Sequence, residues 1–137
     1  MSLFNVLDIA GSGMSAQALR LNTTASNLAN AESVSSSSGE TYRARQPVFS
    51  AMVKALGDTP AGTGVQVLGI VESQEPLRKQ HQPGHPMADE DGYIFLPNVS
   101  MVEEMANMIS ASRSYQSNSE IAKTSKQLLM RTLSLGE

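Results

Sequence analysis

Two long stretches of this chain carry apolar residues at alternating steps of four and three, and the segment between them does not. The first runs Leu3, Leu7, Ala10, Met14, Gln17, Leu21, Thr24, Leu28, Ala31 without a slip, with Phe4, Ile9, Ala18 and Ala25 beside it. That is heptad spacing, and it predicts a helix over Leu3–Ala31. Its face is built largely from Ala, Ser, Thr and Asn, so the helix needs partners to be stable. Gly11 and Gly13 interrupt it, at a cost of about 1 kcal/mol each relative to Ala. They mark either a helix break or a place where another helix comes close. The heptad phase continues across them, which favours the second.

The other stretch is Val99–Leu135, which contains no Pro and no Gly. Its seam is Met101, Met105, Met108, Ser112, Tyr115, Ser119, Ala122, Lys126, Leu129, Leu133, widened at both ends by Val102, Ile109, Ile121, Leu128 and Leu135. Asn98 after Pro97, and Ser100 three residues before Glu103, are helix-start chemistry. Glu103 and Glu104 fall early and Lys123, Lys126 and Arg131 late, where each sign complements the helix dipole. Gly136 stands where a C′ glycine would end the helix. A helix of this length is a rod of about 55 Å. A 137-residue chain cannot bury it in a globule, so it needs a partner along its length.

The middle has shorter periods. Ser33 and Ser35 to Gly39 form a low-complexity linker. Thr41–Phe49 reads as extended, with Tyr42 and Phe49 as anchors. Ala51–Leu56 is ambiguous between a strand end and one helical turn, and Gly57–Gly64 is a loop. Val65–Val71 is a strand, with Val65, Val67, Gly69 and Val71 on one face and Gln66, Leu68 and Ile70 on the other. Ser73–Gln80 is polar, and Tyr93–Leu96 is a last short strand. The expected fold is mainly α: long N- and C-terminal helices paired as a coiled-coil-like hairpin, with a small central β-rich appendage. The segments are 1–32, the N-terminal axial helix; 33–64, a Ser/Gly-rich loop and extended piece; 65–98, the β-rich unit; and 99–137, the C-terminal helix.

Composition narrows the function. Net charge is −3 with scattered Lys and Arg, which recommends no nucleic acid partner. Aromatics are 4% with no Trp, thin material for a self-sufficient core, so stability is expected to come from assembly. The absence of cysteine excludes disulfide scaffolds and thiolate metal sites. No apolar run is long enough to cross a membrane, and no secretory signal is visible, which by itself points to the cytoplasm. His81 and His85 have a helical metal spacing, but Pro83, Gly84 and Pro86 forbid the helix and no third ligand is obvious. Asp89, Asp91 and Gly92 echo part of an EF-hand loop, yet that register puts Met87 first and Asn98 twelfth, so the match fails. The adjacent carboxylates Asp89, Glu90 and Asp91 make no glycosidase pair. No catalytic residue, cofactor or metal is expected.

Asn27-Leu28-Ala29-Asn30-Ala31, closing the first helix, resembles the N-terminal motif of bacterial flagellar rod and hook proteins. Glu104 to Asn118, reading EMANMISASRSYQSN, is similar to that family's C-terminal motif. Pro83-Gly84-His85-Pro86, Ala88-Asp89, Gly92-Tyr93 and Pro97-Asn98-Val99 resemble its proximal-rod members. The short chain agrees, since distal-rod and hook subunits carry larger central domains. The serine loop is plainer than the family's, and Met87 stands where a polar residue is usual.

The resemblance implies a structural subunit whose terminal helices stack into the wall of a hollow tube. That tube is the drive shaft from motor to hook and part of the export channel. It implies export through the flagellar type III apparatus without a cleaved signal, which would overturn the cytoplasmic expectation. It places the protein in the basal body, in the rod that spans the periplasm. Implied partners are the chain itself, other rod subunits, and the rod base near the MS ring and export gate. Residues expected to carry helix packing and assembly are Leu3, Leu7, Met14, Leu21, Asn27, Leu28, Asn30, Met105, Met108, Ile109, Arg113, Tyr115, Asn118, Leu129 and Leu133. Asn27, Asn30 and Asn118 are expected to hydrogen-bond across helices and set register, and Arg113 to reach a neighbour's carboxylate. The alternatives are another type III-secreted, needle-like component and a soluble coiled-coil adaptor.

Overall fold

The computed structural model describes residues 3–56 and 59–136. The element order is α1 (Leu3–Asn30), β1 (Arg45–Leu56), β2 (Thr59–Glu72), β3 (Arg78–His81), β4 (Tyr93–Leu96) and α2 (Met101–Ser134). α2 begins where its capping sequence puts it. Ser100 is extended (φ −92°, ψ 109°), and its Oγ accepts the Glu103 N–H at 3.5 Å. Its end differs from expectation: Leu135 is the cap, in right-handed geometry, and Gly136 is not left-handed. Among the described residues only Gly92 has positive φ, +79°.

The helices pair antiparallel. Arg20 Nη2 donates to Asn107 Oδ1 at 2.9 Å, and further along Gly13 faces Asn118. Stepping back from Gly13 at equal rise puts Leu3 level with roughly residue 128, so the last turns of α2 project past Leu3. The pair is not a coiled coil, however. A coiled-coil seam needs large apolar knobs in holes. The side of α2 turned inward instead presents Glu104, Ala111 and Ser125 as its buried residues, and α1 offers Ala10 and Thr24. At Gly13 an added Cβ would lie 2.8 Å from Asn118 Nδ2, so the helices come close at this glycine. The large heptad residues Met101, Met105, Tyr115 and Leu133 are exposed. The α1 row thus turns Ala10 and Thr24 inward, whereas Met101, Met105, Tyr115 and Leu133 of the α2 row are turned away from the intramolecular contact.

Nor is the β structure an appendage on a helical hairpin. β1 and β2 form one antiparallel ladder, from Arg45↔Glu72 to Leu56↔Thr59. It covers the ambiguous Ala51–Leu56 and most of the expected loop; Gly57 and Asp58 of that loop lie outside the described residues. The ladder lies along α1. Ser12 Oγ accepts the Val65 N–H at 3.1 Å while donating to Ile9 O at 2.8 Å. A side chain on Gly64 would sit 3.2 Å from that hydroxyl. Asn27, about 22 Å away along the helix, holds the other end at Arg45. Val48 pairs with Gly69 but Phe49 with Val67, so Leu68 is an extra residue. This bulge breaks the simple alternation expected for Val65–Val71. The fold is therefore α+β, with α1 covered on one side by α2 and on another by the β1–β2 ladder.

The second sheet pairs β3 with β4, from Arg78↔Leu96 to His81↔Tyr93. The serine stretch joins it rather than serving as a linker. Ser35 and Phe95 exchange both backbone hydrogen bonds, at 3.1 and 3.0 Å, and Thr41 Oγ1 donates to Ser37 O at 2.7 Å. The buried apolar cluster is small: Ala31, Ala44 and Val99, with Tyr42 against it. Alanines supply much of the buried surface, so apolar burial contributes little per residue here.

The Gly13–Asn118 contact predicts a double-mutant result. Gly13→Leu should lower stability by about 1–3 kcal/mol through helix separation. Gly13→Ala in an Asn118→Ala background should gain up to about 1 kcal/mol from helix propensity. Urea denaturation of Gly13→Leu, Asn118→Ala, the Gly13→Ala/Asn118→Ala pair and the wild type measures both.

Candidate assembly interface

Two asparagines hold the start of β1. Asn27 is 1% exposed. Its Nδ2 donates to Arg45 O at 2.8 Å, and its Oδ1 accepts the Arg45 N–H at 2.9 Å and the Tyr42 O–H at 2.8 Å. The side-chain amide thus exchanges bonds with Arg45 as a neighbouring strand residue would. One residue earlier, the Ala44 N–H donates to Asn98 Oδ1 at 2.8 Å, and Asn98 Nδ2 donates to Glu75 O at 2.9 Å. Successive N–H groups of an extended chain point to opposite sides, so the two asparagines grip the strand from both. One comes from the end of α1 and the other from just before α2.

Arginines complete the junction. Arg78 donates from Nε to Pro97 O and from Nη2 to Ala31 O, both at 3.0 Å. Arg43 Nη1 donates to Ser73 O and Glu75 O at 3.1 and 3.2 Å. These forks satisfy backbone carbonyls at element ends that have no ladder partner. The Arg45–Glu72 ion pair, 3.3 Å and about half exposed at each side chain, contributes under about 1 kcal/mol.

The residues expected to mediate assembly fall into three groups. Leu3, Leu7, Met14, Leu21 and Leu28 of α1, and Met108 and Leu129 of α2, are half-buried. Met105, Ile109, Arg113, Tyr115 and Leu133 are exposed; Ile109 is 57% and Leu133 70% accessible. Arg113 has no partner among the described residues. The asparagines form the third group. Asn27 binds β1, Asn30 Nδ2 donates to Ser26 O in its own helix at 2.8 Å, and Asn118 faces Gly13 across the helix pair. The structure adds Asn98, Arg78 and Tyr42, whose partners lie far along the chain. The Pro97-Asn98 helix-start signal and the Pro97-Asn98-Val99 motif are the hints of the first in the sequence, and Tyr42 stands there as an anchor of the extended segment.

Apolar side chains are exposed on the hairpin as well, where Val48, Phe49, Val53, Leu68, Ile70 and Val71 face solvent. With the outward row of α2 they exceed the isolated apolar residues normal on a monomer. The histidine loop has local roles. His85 Nδ1 accepts the Met87 N–H at 3.0 Å, and Asp89 Oδ1 accepts the N–H groups of Asp91 and Tyr93 at 3.0 and 2.7 Å. No group of three His, Cys, Asp or Glu side chains among the described residues is placed to hold a metal. No described helix is long and apolar enough to cross a membrane.

An antiparallel pair of terminal helices, with β elements against α1 and large apolar side chains exposed on α2, has the architecture of a structural subunit and no site for chemistry among the described residues. The comparisons give its family. Residues 7–34 match the family model "Flagella basal body rod protein". Residues 90–135 match "Flagellar basal body rod FlgEFG protein C-terminal". The chain is 50% identical over 137 residues, all of both chains, to the flagellar basal-body rod protein FlgC of Salmonella typhimurium, and equally to that of Escherichia coli O6:H1. It is 34% identical over 149 residues, 98% of each chain, to FlgC of Borreliella burgdorferi. The chain belongs to the FlgC family of flagellar basal-body rod proteins, structural subunits of the rod.

The junction makes two predictions. Asn27→Ala should cost about 2–3 kcal/mol, because it strands the Arg45 N–H and C=O in a buried site. Arg78→Lys keeps the charge but loses the fork, and should cost about 1–2 kcal/mol. Chemical denaturation of the purified chain checks each.

Proposed function

We propose that this chain is a load-bearing subunit of the proximal rod, with no catalytic role. Segments 1–32 and 99–137 form the axial part of the tube wall, and 33–98 faces neighbouring subunits or a surrounding ring. Copies of the chain and other rod subunits stack through the outward apolar rows, and those contacts carry motor torque toward the hook. The tube they enclose is part of the export channel. The chain reaches that place through the flagellar type III apparatus without a cleaved signal, and resides where the rod spans the periplasm, its base near the MS ring and export gate. Nucleic acid has no part in this reading.

The observation that carries it is the outward row of large apolar side chains on α2, in a chain alike over its full length to FlgC proteins. An unassembled subunit gains nothing by exposing Met105, Ile109 and Leu133. Ile109→Ser and Leu133→Ser test it in a strain lacking the wild-type gene. Each purified variant should unfold within about 0.5 kcal/mol of the wild type, as surface changes do. Each should lower the number of intact basal bodies and the swimming radius severalfold. Normal basal bodies in both variants would remove the apolar row from the assembly surface.

A further inference from the structure

The chain has eight methionines and neither cysteine nor tryptophan. Thioether sulfur is therefore its most readily oxidised group, and exposure sets which sulfurs react. The first turns of α2 hold three of the eight, Met101, Met105 and Met108. Met101 and Met105, one turn apart on the same helix face, are 42% and 51% exposed. Met108 is half-buried. Val102 and Ile109 are exposed beside them, so the two open sulfurs belong to the apolar row of α2.

Apolar area alone does not call for sulfur there. Leucine supplies similar area on a stiffer side chain, and the row on α1 uses it at Leu3, Leu7, Leu21 and Leu28. Methionine brings two further properties, an adaptable shape and a sulfur that a peroxide can reach. The chemistry is a two-electron oxygen transfer. A sulfur lone pair attacks one oxygen of hydrogen peroxide, the O–O bond breaks and an S–O bond forms. The second oxygen takes up both protons and leaves as water. The thioether is oxidised to a sulfoxide, which is polar where the thioether was apolar. Once buried, the sulfoxide oxygen needs a hydrogen-bond donor, and a contact built on apolar side chains supplies none.

We propose that Met101 and Met105 are an oxidation site of the unassembled chain, at which hydrogen peroxide forms sulfoxides that bar the chain from the rod. Assembly buries both sulfurs and so protects them. The oxidation itself follows from exposure, whereas its effect on assembly rests on the rod-subunit reading.

Treating the purified full-length chain with hydrogen peroxide tests the site, with tandem mass spectrometry following each methionine. Met101 and Met105 should gain oxygen within about twofold of the rate at exposed Met87 and Met130, and at least about fivefold faster than half-buried Met14 and Met108. Rates no higher than those of Met14 and Met108 would overturn the site. The effect on assembly is read in a strain lacking the wild-type gene. Met105→Gln puts an amide oxygen where the sulfoxide oxygen would stand, and should cut the number of intact basal bodies severalfold. Helix content of the purified variant should match the wild type; if it does not, Met101→Gln takes its place. Brief peroxide exposure should cut the number of new basal bodies at least about threefold more in the wild type than in Met101→Leu/Met105→Leu, each strain measured against its own untreated culture. Basal bodies unaffected by the Gln variants, or equal peroxide sensitivity in the two strains, would overturn the block on assembly and leave methionine there for its shape. If Ile109→Ser and Leu133→Ser leave basal bodies normal, or the wild-type chain is absent from them, the assembly reading fails instead, and the peroxide rates of the purified chain decide the oxidation site.

Discussion

The grip of Asn27 and Asn98 on the first residues of β1 is the constraint on which the rest of the molecule depends. Backbone groups of Ala44 and Arg45 at that point lie at the entry to the ladder and face away from β2, and they are part-buried. Burial without partners would cost several times what a hydrogen bond returns. Two side-chain amides supply those partners from the end of α1 and the approach to α2. The directions of both helices, the origin of the β1–β2 ladder and the carbonyls of Ser73–Glu75 all meet in one network. Arg78 extends it to Ala31 and Pro97. With an apolar cluster of only Ala31, Ala44 and Val99 beside Tyr42, directional polar bonds have more to do with uniqueness here than apolar volume does.

The helix pair follows a related economy. Glycine, alanine and serine at the contact let α1 and α2 approach closely, as Gly13 does against Asn118. That choice frees the large apolar side chains for the outer face. A subunit that must join neighbours along its whole length has reason to divide its residues this way. Small side chains set a defined internal spacing, while large ones wait for surfaces that exist only in the assembly.

Much of the fold was legible along the chain because its causes are local. Heptad spacing marked both helices, Ser100 and Glu103 marked the start of α2, and the strand tendency of Val65–Val71 and Tyr93–Leu96 was plain. The serine stretch was misread as a linker because its order comes from Phe95, far away in sequence. The coiled-coil expectation failed for a similar reason. A heptad row states that a helix has a partner on that face, without saying whether the partner belongs to the same molecule. At the candidate interface, Asn27 stood out as a polar group among apolar residues, yet nothing near it in sequence pointed to Arg45. Arg78 lay in a segment read only as polar.

The sequence by itself determined the two long helices, the thinness of any internal core, the resemblance of both ends to flagellar rod proteins and the absence of a catalytic motif. Each follows from residue type and short-range spacing. Tertiary structure decided which face of each helix turns inward, that the β ladder lies along α1, and that Asn27 and Asn98 meet at the start of β1. Those depend on groups that meet only after the chain has turned back on itself, where close approach and the need to satisfy buried polar groups outweigh local pattern.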